Sequence, residues 1–419
     1  MNTETYSVLT DFPGASLGLF NIVGNQISAE LRREAVLPAD GFLHDYNRHF
    51  CFGLRNHSEV YLDLEVSING GTQDLLSGKD ILLFTSGDLV DDFEQTSLEG
   101  ATDYSRSHWF EIGVPAGETV YVANYMFRPP EILERRLDRL AELGAALRIV
   151  YGQTVEGRPL VSYSYDKGDL PWILITSGFH PTEADSLGTE AVMDLLASNE
   201  KLNLLASFNV LIVPIVNPDG FYRGFNACNA HEINFYWTFL EEDRKVCPEA
   251  YHLWRLIKRH EPVLYFDFHA YTFQGPGKHP GPYLKPLVFY RTQRLRKVVR
   301  RITEKLLKGS NGHGMWGVLT YTPSTLASKI TKRFNTITYA KYHLRLRDGA
   351  AYNKQRAADV VLEAANILRE EFKDPRCLLT SRLGLRRHDP IRAIGSRMTE
   401  FWGLKIKPVL RRQKRRMFS

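Results

Sequence analysis

Residues 171–183 read Pro171-Trp172-Ile173-Leu174-Ile175-Thr176-Ser177-Gly178-Phe179-His180-Pro181-Thr182-Glu183. The run Trp172–Thr176 is apolar at successive positions rather than at alternate ones, so a strand here has both faces covered. Strands of that kind belong to sheets flanked by helices. Outward from this stretch the pattern repeats. Asn209–Val216, Val263–Phe268 and Thr336–Lys341 read as further buried strands. Between and around them helical spacing appears at Glu131–Arg148 (Ile132, Leu133, Leu137, Leu140 and Leu143), Ala184–Ala197, Pro248–Arg259, Arg291–Lys308 and Lys354–Phe372. The expected fold is α/β: a mixed, mainly parallel sheet covered by helices over residues 131–373.

Residues 1–128 read differently. Val60–Ile68, Asp80–Phe84 and Thr119–Phe127 are short β-rich runs separated by turn signals such as Asn69-Gly70-Gly71 and Pro115-Ala116-Gly117. Val60, Leu62, Leu64, Val66 and Ile68 fall on one face of a strand, since side chains alternate. An all-β sandwich domain is expected here, ending at Arg128-Pro129-Pro130. No cluster of His, Cys and carboxylate in it suggests chemistry, so it reads as an accessory domain.

Composition excludes several classes. Of 419 residues, 43% are hydrophobic and 24% charged, which suits a packed globular chain rather than a disordered or fibrous one. The longest apolar run, around Asn209–Val216, falls far short of the roughly 20 residues that cross a bilayer. The first residues, MNTETYSVLTDFPG, show no basic or apolar signal region. Cys51, Cys228, Cys247 and Cys377 include no Cys-x-x-Cys pair and are too few for a disulfide scaffold, so a reducing, cytoplasmic setting is expected. The net charge of +5 conceals an asymmetry. Leu379–Ser419 holds twelve Lys and Arg against Asp389 and Glu400, which leaves the rest of the chain mildly acidic. A basic tail over 374–419 is expected, with Arg411–Arg416 able to meet an anionic partner such as phosphate backbones or lipid headgroups.

Two of the buried strands end in histidine. His180 follows the first, and Val263-Leu264-Tyr265-Phe266-Asp267-Phe268-His269 closes the other. Both positions lie where an α/β sheet presents its site, beyond the strands' carboxyl ends. Glu183, three residues after His180, is close enough to share a metal with it. Two imidazoles and one carboxylate suit a single Zn²⁺ with a fourth position left for water, as in a hydrolytic site. Asp267, two residues before His269 on the same strand face, is placed either to orient that imidazole or to cap a neighbouring loop.

The strand ending in Asn217-Pro218-Asp219-Gly220 completes a recognisable order. With Glu156-Gly157-Arg158-Pro159-Leu160, His180…Glu183 and Asp267-Phe268-His269, the chain resembles the zinc carboxypeptidases typified by carboxypeptidase A over about residues 131–373. A β-sandwich ahead of that region resembles the family's cytosolic subgroup. The resemblance implies a zinc-dependent hydrolase of amide bonds, in peptides or N-acyl amino acids, with His180, Glu183 and His269 as metal ligands. It also implies departures. Asn234 matches the Asn of the family's carboxylate-binding Asn-Arg pair, but Phe235 stands where the Arg belongs. The oxyanion-stabilising Arg belongs near Phe225–Cys228, where there is none; Arg223 is the nearest guanidinium. The family's substrate-capping Tyr matches Tyr321. The catalytic Glu falls at Ala340, with Thr338 the other candidate, which leaves the base position vacant and Glu232, beside His231, as a substitute. Phe235 and Trp237 make the expected pocket more apolar. Altered specificity follows, and the alternative is a metal-holding binding protein without turnover.

Overall fold

From Ile173 to Thr176 every residue is buried, and the burial comes from neighbours on both sides. This strand sits inside an eight-stranded sheet in the computed structural model, which describes residues 5–32, 34, 49–70, 80–96, 100–102, 107–198, 206–236, 239–271, 287–290, 293–306, 325–345, 348–379 and 392–393.

The N-terminal region forms two sheets. One runs in the order β1 (Tyr6–Leu9), β4 (Cys51–Asn56), β11 (Thr119–Ala123), β7 (Phe84–Ser86) and β8 (Glu94–Gln95). The other runs β2 (Phe20–Val23), β3 (Gln26–Glu30), β5 (Leu62–Asn69), β10 (Ser107–Val114), β9 (Gly100–Thr102) and β6 (Asp80–Ile81). Strict alternation in β5 puts Leu62, Leu64, Val66 and Ile68 inside and their neighbours outside. Val60 and Tyr61 precede the strand and stay exposed. The inner faces meet in a core of Phe50, Phe52, Leu64, Phe110 and Ile112.

The C-terminal region carries the large sheet, ordered β12 (Leu147–Gln153), β13 (Pro159–Tyr165), β15 (Asn209–Val213), β14 (Trp172–Thr176), β16 (Leu264–Tyr271), β18 (Ile337–Arg345), β17 (Leu287–Tyr290) and β19 (Arg392–Ala393). The expected mixed sheet is present. Its parallel pairing is confined to the four central strands β15, β14, β16 and β18. The flanking strands are antiparallel. Helices cover both faces. Ile173, Ile175, Phe266 and Phe268 pack with α1 (Pro130–Leu143), α2 (Ser186–Ala197), α5 (Gln293–Leu306) and α7 (Ala350–Glu371). Leu174, Leu211 and Tyr265 face the other way, toward α4 (Pro248–His260) and α6 (Leu326–Arg333). Pro130 opens α1 and Gly144 ends it, so the helix is shorter than the hydrophobic spacing through Arg148 suggests. Leu147 already belongs to β12.

The two regions share one apolar cluster. It runs from Cys51, Phe84 and Phe93 through Tyr125 and Phe127 to Leu133 and Leu137 of α1. A buried ion-pair network crosses the same boundary: Arg128 meets Asp92 at 3.2 Å and Glu190 of α2, and Lys354 of α7 pairs with Glu190 as well. Burial works against the ionised form of Glu190, but Arg128 and Lys354 outweigh it and hold the carboxyl below its usual range.

Candidate metal centre

The site forms at the carboxyl ends of β14 and β16. Thr176, the last residue of β14, pairs with Asp267 across the parallel register, and β16 runs on past that level to carry His269. After β14 it makes a sharp turn at Gly178, whose φ is +72°. A Cβ there would approach Ile215 Cα at 2.8 Å and Pro214 O at 2.9 Å, so glycine answers both a left-handed backbone and a close chain crossing. The turn delivers His180 and then a short 3₁₀ turn, Pro181–Glu183. On β16, alternation places Tyr265, Asp267 and His269 on the α4 and α6 side, opposite Phe266 and Phe268.

Three side chains converge. His180 Nδ1 donates to Glu183 Oε1 at 2.8 Å, and His269 Nδ1 donates to Glu183 Oε2 at 2.9 Å. One ligand atom from each of the three lies within 4.8 Å of the others. His180 and His269 are buried, while about a fifth of the Glu183 side chain is exposed. On its far side His269 Nε2 donates to Asp267 Oδ2 at 3.1 Å, and Thr176 Oγ1 donates to Asp267 Oδ1 at 2.8 Å. Of the two roles open to Asp267, the geometry shows the orienting one.

Electrostatics at this point favour a positive charge. Burial lowers the tendency of His269 to ionise, but Asp267 and Glu183 on either side push it up to about 10. Burial likewise opposes ionisation of Glu183, yet His180 and His269 hold its carboxyl well below the usual range. Two imidazole nitrogens aimed at one carboxylate, with a second carboxylate fixing the outer nitrogen, is a donor set that fits Zn²⁺.

Around this trio the structure supplies aromatic walls. Tyr236 lies 5.1 Å from the His180 ring and 4.9 Å from that of His269, centroid to centroid. Phe179 packs on Phe235 and Tyr236 at 5.6 and 5.3 Å. On β18, His343 is the register partner of His269, and their rings are 5.8 Å apart. Tyr236 and His343 escaped the sequence reading. Tyr236 lies in an irregular segment with no periodicity. His343 was reachable only through the register, which advances from Tyr339 to Tyr342 while β16 moves from Phe266 to Phe268.

The remaining expected residues are dispersed. Asn234 is buried, and its Oδ1 accepts from the Tyr236 amide at 3.3 Å. Its Nδ2 has no partner among the described residues. Phe235, expected in the place of the family Arg, is fully buried against Phe179. Ala340 pairs with Leu287 and is buried in the apolar cluster that also holds Phe179, Phe235 and Tyr236. Glu232 and His231 are exposed on a turn where Glu232 adopts φ +60°. Arg223, at the end of the short helix α3 (Pro218–Arg223), donates its Nε to Glu156 at 2.6 Å. Glu156 also pairs with Arg158, which reaches Asp219 of the Asn-Pro-Asp-Gly turn at 2.7 Å. Thr154 and the Glu156 amide complete the hold on Asp219. Tyr321, Trp237 and Arg411–Arg416 lie outside the described residues.

Within the Phe225–Cys228 stretch, the amides of Asn226, Ala227 and Cys228 are committed to a carboxylate. Glu34 Oε1 accepts from the Asn226 amide at 2.5 Å, and Oε2 accepts from Ala227 at 2.7 Å and Cys228 at 3.3 Å. Burial raises the Glu34 carboxyl above its ordinary range, and His49, 3.7 Å away, and these three amides offset that only in part.

The sheet gathers two strand-end histidines and a carboxylate into a candidate metal site, and comparisons with known proteins bear on it. Residues 134–244 match the family model described as zinc carboxypeptidase. That match takes in His180 and Glu183 and ends before His269. Cytosolic carboxypeptidase 1 of Xenopus laevis is 24% identical over 212 residues, which are 43% of this chain and 17% of that relative. Among solved structures, the metallo-carboxypeptidase of Burkholderia cenocepacia superimposes with a TM-score of 0.67 at 18% identity, covering 88% of this chain and 99% of its own. The metallo-carboxypeptidase of Pseudomonas aeruginosa, in complex with (2-guanidinoethylmercapto)succinic acid, gives 0.69 at 18% identity over 87% and 99%. These neighbours share the fold across both the sandwich and the large sheet. The resemblance in the motifs is therefore borne out as a resemblance: residues 134–244 match the zinc carboxypeptidase model, and the fold is shared with metallo-carboxypeptidases.

Proposed function

We propose that the protein is a zinc-dependent hydrolase of amide bonds, in peptides or N-acyl amino acids, with a specificity shifted from that of ordinary carboxypeptidases. The convergence of His180 Nδ1, Glu183 and His269 Nδ1 carries this reading. These three would hold one Zn²⁺, which when bound polarises a carbonyl and activates water. Asp267 fixes the His269 ring so that Nδ1 faces Glu183. Tyr236, backed by Phe179, walls one side of the pair of imidazoles. With Phe235 in place of a guanidinium, a free substrate carboxylate loses a bidentate partner, and Arg223 is held by Glu156 instead. The same reading divides the chain into a sandwich domain (1–128), a catalytic domain (131–373) and a basic tail (374–419). A cytoplasmic setting accords with the free thiols of Cys51, Cys228 and Cys247, each buried in the fold. No described helix is long and apolar enough to cross a membrane.

The test is a screen of zinc-loaded protein against unmodified peptides and N-acyl amino acids. Turnover of blocked or N-acyl substrates, with slow release of free C-terminal residues, is expected. Rapid release of C-terminal residues from simple peptides would contradict the shifted specificity. A second reading, a metal-holding binding protein, draws on the apolar surroundings of Ala340. It requires a wild type inert on all substrates and activity appearing in Ala340→Glu, because a general base contributes about 10²–10⁴-fold.

A further inference from the structure

Glu34 belongs to the sandwich side of the molecule, yet its carboxylate is buried in a loop of the other region. The Asn226, Ala227 and Cys228 amides point at it together, a backbone nest of the kind that binds anions. The loop is held from its other side too. The Arg32 guanidinium donates to the Arg223 carbonyl and stacks 4.6 Å over Phe225, while His49 Nε2 donates to the Gly224 carbonyl at 2.9 Å. Gly14 donates its amide to the Tyr222 carbonyl at 2.8 Å.

What this loop touches next gives the contact its meaning. Asn226 Oδ1 accepts the hydroxyl proton of Thr182, and Thr182 stands between His180 and Glu183 in the 3₁₀ turn. The Cys228 carbonyl accepts from Asn217 Nδ2 at 3.0 Å, which ties the loop to the Asn-Pro-Asp-Gly turn as well. A chain of hydrogen bonds thus runs from Glu34 through Asn226 to the turn that carries two of the three converging side chains. Thr182 and Asn226 are both buried, so neither end of their bond has ready access to water as a substitute partner.

We propose that Glu34 is a positioning residue for the metal centre: it latches the 226–228 loop, and the loop holds Thr182 so that His180 and Glu183 face His269. The inference rests on the reading of those three as metal ligands. It gives the sandwich a part in the site. Outer residues that orient metal ligands typically change affinity by about 10–100-fold when removed, and Glu34 acts through one more link, so a loss near the lower end is expected.

The experiment is a double-mutant cycle on zinc affinity, read by competition with a chromophoric chelator, for wild type, Glu34→Gln, Thr182→Val and the double variant. Gln keeps the size of Glu but turns an amide N–H₂ toward donors. Glu34→Gln is expected to weaken zinc binding by about 10-fold, Thr182→Val by a similar factor, and the double variant no more than the weaker single. Ile112→Val, in the sandwich core, serves as a control and should leave zinc affinity at the wild-type value. Hydrogen exchange without added metal supplies a second readout: Glu34→Gln should speed exchange in residues 178–186 as well as 226–228. Additive losses, or a Glu34→Gln affinity within twofold of wild type, overturn the proposal. If Glu34→Gln does not fold, Glu34→Asp, which keeps the charge but shortens the arm, replaces it with the same criteria. A wild type that takes up no zinc overturns both this inference and the metal reading; a wild type that binds normally beside an unaffected Glu34 variant overturns this one alone.

Discussion

Asp267 is the residue on which the orientation of His269 depends. Its Oδ2 accepts from the imidazole Nε2 and its Oδ1 from Thr176, so the carboxylate cannot turn without breaking a buried bond. Asp267→Asn should weaken zinc binding by about 10–100-fold while leaving the stoichiometry at saturation unchanged. Chelator competition measures this, and an unaltered affinity would reduce Asp267 to a loop-holding role. His180, Glu183, His269 and Asp267 were legible because strand-end position and spacing expose them in one dimension. Tyr236, His343 and Glu34 were not. Each reaches its place through irregular backbone, strand register or a contact across some 190 positions of sequence, none of which leaves a local pattern.

At the scale of elements, the turn between β14 and the 3₁₀ segment sets where His180 emerges. Gly178→Ala meets a left-handed backbone and the crossing chain at Ile215 and Pro214 together. The left-handed conformation alone costs an alanine about 1–2 kcal/mol, and the close approach adds to it. Denaturant unfolding should show at least that loss, with zinc affinity falling in parallel because the turn moves. A variant as stable as wild type would mean the turn relaxes freely. The buried strands β14, β15 and β16 were readable from their continuous apolar runs: β14 has the expected limits, β15 stops at Val213 short of the expected Val216, and β16 runs to Tyr271, past the expected Phe268. Helix α1 is shorter than expected: its apolar spacing ends at Leu143, its last residue, Gly144 caps it, and Leu147 already begins β12. The antiparallel wings of the sheet were also hidden, since pairing direction depends on connections rather than on hydrophobic pattern.

For the molecule as a whole, Arg128 joins the sandwich to the sheet. It lies fully buried between Asp92 and Glu190. Arg128→Met leaves those carboxylates with weaker compensation, and about 3–5 kcal/mol of stability should be lost at neutral pH. The pH dependence has a definite sign. Glu190 and Asp92 both have folded values lowered by their cationic neighbours, against the opposing effect of burial. Their contribution is therefore complete above the ordinary carboxylate range and is lost as pH falls through the lowered folded values. The gap between wild type and Arg128→Met should narrow below about pH 4. Urea titrations at neutral and acidic pH measure it, and a gap that widens with acid would contradict the assignment. The sequence placed Arg128 at the boundary between the two regions through the Pro129-Pro130 pair, but its burial appears only once α2 and α7 are packed beside it.

The most direct test of the account is metal content. Elemental analysis of wild-type protein purified under zinc-replete conditions should give one zinc per chain, and the His180→Ala, His269→Ala double variant, confirmed folded by circular dichroism, should give none. Zinc absent from the wild type, or retained at the same stoichiometry in the double variant, would contradict it.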